Sequence, residues 1–161
     1  MADQDNRFTL RLEQQQGFQF LVSWDSPDVP ELLVDEPAPL GHDTGPSPSR
    51  MLVLAVGNCL AASLLFSLRK FKNQSEPIRA SITGELVRNE HNRLRIGHVE
   101  VELQMGAAAD QLQHLDRVLE QFEDFCVVTE SVRHGFPVAV TVRDGSGTIV
   151  KQGGMEAPIE G

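Results

Sequence analysis

Redox chemistry in this chain would have to come from two sulfur atoms. Cys59 and Cys126 are the only cysteines in 161 residues, and they stand 67 positions apart. Two thiols can form a redox pair, in which one thiolate attacks an oxidant and the other resolves the product as a disulfide. The alternative is that each is a buried, inert thiol, since free cysteine packs like a small hydrophobe. Position alone favours the inert reading. Cys59 lies in the small-residue stretch NCLAAS, about three turns into a helix, too far from its N-terminus for the dipole to acidify it. A nearby cation would be required, and spacing identifies none.

Other chemistries lack their signatures. The cysteines form no CxxC. His42, His91, His98, His114 and His134 have no HxxxH or similar spacing, so no metal site is expected. There is no GxGxxG, no Walker A motif and no GxSxG, and no cofactor is expected. The DGSG at 144–147 reads as a hairpin turn, because no helix follows it to hold a phosphate. A formal net charge of −9 argues against nucleic acid or an anionic membrane surface as a partner. The first ten residues have neither a basic nor an apolar segment, and two cysteines make no disulfide framework. A reduced, cytoplasmic compartment is the expectation.

With 40% hydrophobic and 23% charged residues, the chain can bury a core and suits a single domain over 1–161, frayed at 1–7 and 152–161. Residues 8–15 and 18–24 alternate apolar and polar around Gln16-Gly17, which predicts a hairpin, and 31–35 a short third strand. The Pro- and Gly-rich stretch 36–48 is a loop. Residues 78–87 and 93–104 alternate again around the turn NEHN, with a phase break at Gly97-His98 that suits a β-bulge. A helical stripe of Leu112, Leu115, Val118, Leu119 and Phe122 predicts a helix over 108–124. Cys126 then opens a strand, CVVTESV, followed by a turn at His134-Gly135 and a strand over 136–143. The order predicts an α+β fold with mainly antiparallel pairing.

The apolar run 51–66, MLVLAVGNCLAASLLF, is shorter than a typical membrane span and holds Asn58 at its middle. It predicts a soluble helix over 48–71, with Ser47 as cap, Pro48 at the first position and Arg69, Lys70 and Lys72 at the negative pole. A helix apolar on every face must be covered on every face. Ala55, Gly57, Ala61, Ala62 and Ser63 would let another element come close. We therefore expect a homodimer with this helix near the shared core.

The segment GPSPSRMLVLAVGNCLAASLLFSLRK resembles the central-helix signature of the OsmC/Ohr family, the osmotically inducible and organic-hydroperoxide-resistance proteins. It shares G-P-x-P and a cysteine twelve residues after the x. EDFCVVTESVRHGFPVAVTV is similar to that family's resolving-cysteine segment, and the likeness covers roughly 8–143. The resemblance implies an intertwined homodimer with a long buried central helix and a second helix, and active sites at the subunit interface. It implies Cys59 as the peroxidatic and Cys126 as the resolving catalytic cysteine. An organic hydroperoxide would be the substrate, and a lipoylated protein or small thiol the dithiol reductant.

The chain departs from the pattern at the activating residues. The family's carboxylate would fall at 49 or 50, where Ser49 and Arg50 stand, and QQQGF carries no arginine where the family's N-terminal arginine is expected. Arg50 or Arg11 could supply a cation, although each also reads as a solvated surface residue. Three functions remain open: a cysteine peroxidase, a stress-associated module that binds a small apolar ligand, and a structural dimer. The first requires Cα atoms about 4.4–6.8 Å apart at the two cysteines.

Overall fold

A computed structural model describes residues 6–153. These fall into two compact units, residues 6–57 with Ser81–Glu102 and Asn58–Ala80 with residues 103–153.

In the first unit, β1 (Arg11–Gln14), β2 (Phe20–Ser23) and β3 (Leu32–Val34) form an antiparallel sheet in sequence order. Leu12 pairs with Val22 and Phe20 with Val34. Gly17 takes a left-handed φ of 54° at the β1–β2 turn, a conformation that costs glycine little. Val22 and Val34 are buried, while β1 is exposed throughout. The loop after β3 is built around Asp35, which is 1% exposed. Its carboxylate accepts hydrogen bonds from the Glu36 N–H (2.8 Å), the His42 N–H (2.9 Å), and the N–H and hydroxyl of Thr44 (3.2 and 2.8 Å).

Helix α1 (Pro48–Lys70) matches the predicted helix closely. Ser47 is buried and its hydroxyl accepts the Arg50 N–H in a long 3.5 Å cap bond. At the far end Lys72 has a φ of 60°. The Asn73 N–H returns to the Leu68 carbonyl and the Lys72 N–H to that of Arg69, a Schellman closure built on lysine rather than glycine. Length and hydropathy alone would let α1 cross a membrane. It is not apolar-buried on every face, however. Val56, Leu60, Leu64 and Leu68 are buried, whereas Leu52, Leu54 and Phe66 are exposed.

Gly57 on α1 faces Ile82, and Gly84 faces Val53; a Cβ at either glycine would collide with that side chain. Ile82 and Gly84 belong to β4 (Arg79–Arg88), which pairs with β5 (Leu94–Gln104) as a two-stranded sheet.

In the second unit Leu64, Leu68 and Val118 form the core, flanked by Phe71, Leu103, Leu115 and Phe122. The predicted helix over 108–124 is broken. A 3-10 turn spans Ala109–Gln111, α2 runs Leu115–Gln121, and a second 3-10 turn spans Phe122–Phe125. The break follows from Asn73, whose amide donates to the Gln113 carbonyl (2.9 Å) and accepts the Gln113 N–H (2.7 Å). Those bonds take Gln113 out of any helical ladder, and His114 follows in a left-handed conformation.

The strand expected from Cys126 is instead a helix, α3 (Val127–His134), with Cys126 at its N-cap. Glu130 near its start and Arg133 and His134 in its last turn complement the helix dipole, and Arg133 bridges Glu130 and Glu123. The antiparallel hairpin β6 (Val140–Arg143) and β7 (Ile149–Gly153) completes the described chain. The strand expected from 136 starts only at 140. Gln152 and Gly153, expected to fray, are in β7, while residues 154–161 and 1–5 lie outside the described residues.

Candidate active site

The two cysteines meet in the second unit. Cys59 is half-buried on α1, and Cys126 is fully buried at the N-cap of α3. Each sulfur is a neighbour of the other and alters its titration.

Four groups surround the pair. The Thr129 hydroxyl lies 2.9 Å from the Cys126 sulfur and accepts its S–H. Ser63, one turn after Cys59 on α1 and itself buried, offers its hydroxyl to both sulfurs. The Val128 N–H faces Cys59. Cys126 makes no formal capping hydrogen bond, yet the Thr129 N–H favours its thiolate.

The environment separates the two thiols. Burial pushes Cys59 up, and its position as hydrogen-bond donor to Cys126 pushes it further. The Val128 N–H and the Ser63 hydroxyl pull it down without reversing the direction. Burial also pushes Cys126 up, but there the Thr129 hydroxyl, the Cys59 thiol, the Thr129 N–H and the Ser63 hydroxyl prevail. Cys126 is thereby pushed below the ordinary range for a thiol.

Among the described residues, no cation acts on Cys59. Arg50 is exposed and paired with Asp43, and Arg11 is exposed on β1. Ser49 and Arg50 instead line a cavity of the first unit, about 440 Å³ in volume, with Val53, Leu54, Ile82 and Ile96. Among the described residues no group of three histidines, cysteines or carboxylates could hold a metal ion.

Sequence reasoning found both cysteines and missed Thr129. The spacing carries a partial signal, since Thr129 stands at the third position after the N-cap, within reach of the Cys126 side chain. Reading 126–132 as a strand hid it.

Residues 41–141, a span holding both cysteines, match the family described as OsmC-like protein. The chain belongs to the OsmC-like family.

Solved structures of OsmC-like proteins share its fold. An OsmC-like protein of unknown function from Vibrio cholerae is 15% identical, with a TM-score of 0.63 over 78% of this chain and 92% of that one. An organic hydroperoxide resistance protein from Elizabethkingia anophelis is 17% identical, with a TM-score of 0.57 over 79% and 88%. That of Bacillus subtilis is 13% identical, with a TM-score of 0.58 over 79% and 90%. No curated protein matches. The α+β class, the antiparallel sheets and the long helix are those of the OsmC/Ohr structures, with a third helix, α3, that sequence reading did not expect.

Proposed function

We propose that this OsmC-like protein is a cytoplasmic thiol peroxidase that reduces organic hydroperoxides, working as a homodimer. The observation that carries the reading is the adjacency of Cys59 and Cys126, 67 residues apart in sequence, with hydroxyl and amide donors around both sulfurs. The half-buried Cys59 is the thiol a peroxide can reach, and the fully buried Cys126 is not.

The cycle follows from that asymmetry. The Cys59 thiolate attacks the O–O bond of the hydroperoxide. A sulfur–oxygen bond forms, the O–O bond breaks, and the alcohol leaves after taking a proton. The Val128 N–H and the Ser63 hydroxyl oppose the burial that raises Cys59, and they are the groups that stabilise its thiolate once it forms. The resulting sulfenic acid is attacked by the Cys126 thiolate. The disulfide forms, the sulfur–oxygen bond breaks, and hydroxide leaves as water. A dithiol, either a lipoylated protein or a small thiol, returns both sulfurs to the reduced state by exchange.

The test is consumption of cumene hydroperoxide with dithiothreitol. Wild type is expected to turn over and Cys59→Ser to lose turnover entirely. A mass loss of two hydrogens after peroxide treatment is expected in wild type and not in Cys126→Ser. Turnover that survives Cys59→Ser would reject Cys59 as the nucleophile.

A second reading is supported by one observation, the cavity of the first unit, which carries apolar side chains and lies among residues without a thiol. Under it the protein is a stress-associated module for a small apolar ligand. Absence of turnover in wild type, together with saturable binding of a fluorescent apolar probe, favours it.

A further inference from the structure

We propose that Thr129 is a positioning residue of the thiol pair, its hydroxyl holding the Cys126 sulfur towards Cys59 and donating to that sulfur as it becomes the attacking anion. Its place in the cycle rests on the peroxidase reading above.

The argument starts from geometry. Thr129 is 5% exposed in the first turn of α3, and its hydroxyl is 2.9 Å from the Cys126 sulfur. A hydroxyl both accepts and donates, so the contact survives ionisation with its direction reversed. As a thiol, Cys126 donates to Thr129; as a thiolate, it accepts from Thr129. The sulfur is thus held in one place through both states, as an in-line attack on a sulfenic acid requires.

Charge offers no substitute for this hydroxyl. Glu123 and Glu130, three residues before and four after Cys126, are taken up by Arg133. Lys70 lies over the Phe125 ring, and Asp124 is exposed. The titratable group that faces Cys126 from α1 is Cys59 itself. Removing the Thr129 hydroxyl therefore removes a principal donor from a sulfur on which, among the described residues, no cation acts.

The affected step balances simply. The Cys126 thiolate attacks the sulfur of the Cys59 sulfenic acid, the sulfur–sulfur bond forms, the sulfur–oxygen bond breaks, and the departing hydroxide takes up the proton that Cys126 released to solvent on ionising. Cys126 is oxidised as the sulfenic sulfur of Cys59 is reduced to the disulfide level, and the peroxide oxygen leaves as water.

Two measurements decide the proposal. The first needs no peroxide. In a Cys59→Ser background, ultraviolet thiolate absorbance against pH follows Cys126 alone. Thr129→Val is expected to raise its midpoint by about one pH unit, equivalent to a tenfold loss of thiolate at a given pH, and Thr129→Ser to restore it. An unchanged midpoint overturns the proposal. Should the valine variant fail to fold, Thr129→Ala removes the same hydroxyl and carries the same expectation.

The second follows disulfide formation after one equivalent of cumene hydroperoxide, with dimedone as a trap. Thr129→Val is expected to slow the disulfide about tenfold at neutral pH, to accumulate the dimedone adduct on Cys59, and to recover as pH rises and the thiolate returns. Equal rates at every pH overturn the role in resolution. If Cys126→Ser protein gives no dimedone adduct at Cys59, the peroxidase reading fails, and the absorbance arm still decides what Thr129 does to the sulfur.

Discussion

Asp35 and Cys126 are both buried acids held by neighbouring hydrogen-bond donors, one in each compact unit, and they are set up to opposite ends. Around Asp35 three backbone N–H groups and the Thr44 hydroxyl converge on one carboxylate. Burial pushes that carboxyl up, but the donors from His42, Thr44 and Glu36 prevail and hold it at about 2. One protonation state is locked in, and the loop is its product. Around Cys126 there are also four donors, but only one is a backbone N–H; the others are two hydroxyls and a second thiol. These partners can reverse direction, so the proton remains mobile. Backbone amides fix a charge, whereas hydroxyls and thiols leave it negotiable.

The sharpest break of this contrast is Asp35→Asn. The amide keeps one oxygen and presents an NH₂ where the carboxylate received N–H groups, so donor meets donor. The variant is expected to melt several degrees below wild type by calorimetry. The pH dependence has a definite sign. The folded value of about 2 lies below the ordinary 3.8, so the stabilisation is complete above the unfolded value and is lost as pH falls through the folded one. Urea unfolding of wild type should weaken across that window, and Asp35→Asn should be flatter there. Parallel curves would show that the four hydrogen bonds do not govern the acid response.

A middle-sized effect belongs to Ser63, whose hydroxyl serves both sulfurs. Ser63→Ala is expected to raise both thiol titrations and to slow alkylation by iodoacetamide several-fold at neutral pH, with little change in melting temperature. An unchanged alkylation rate would leave Thr129 as the principal hydroxyl at the pair. The smallest effect is expected at Arg50, whose pairing with Asp43 is exposed on both sides. Arg50→Ala should shift stability by about 0–1 kcal/mol and leave thiol alkylation unchanged. A marked slowing would identify Arg50 as the missing activator.

Local pattern carried the strands and α1. Alternation located β1 to β5 within a few residues, and Ser47, Pro48 and the basic end bracketed α1. The failures came where a distant or competing term decides. Val127, Val128 and Val132 are β-formers, and CVVTESV reads as a strand; Glu130 in the first turn and Arg133 and His134 in the last suit a helix instead. The break in the second predicted helix comes from Asn73, 40 residues upstream of Gln113, which no periodicity could report. At the site both sulfurs were legible, and the cation expected beside Cys59 was not found among its neighbours. Hydroxyls stand there, and in a sequence a serine or threonine is too common to signal that role.

The clasp between Asn73 and Gln113 has a consequence for the ageing of the protein. A side-chain amide there does what a neighbouring strand would do, offering a carbonyl and an N–H at once. Spontaneous deamidation would leave the acceptor and delete the donor, setting a carboxylate against the Gln113 carbonyl. Stored preparations would then lose the segment before α2 first, through a change of one atom.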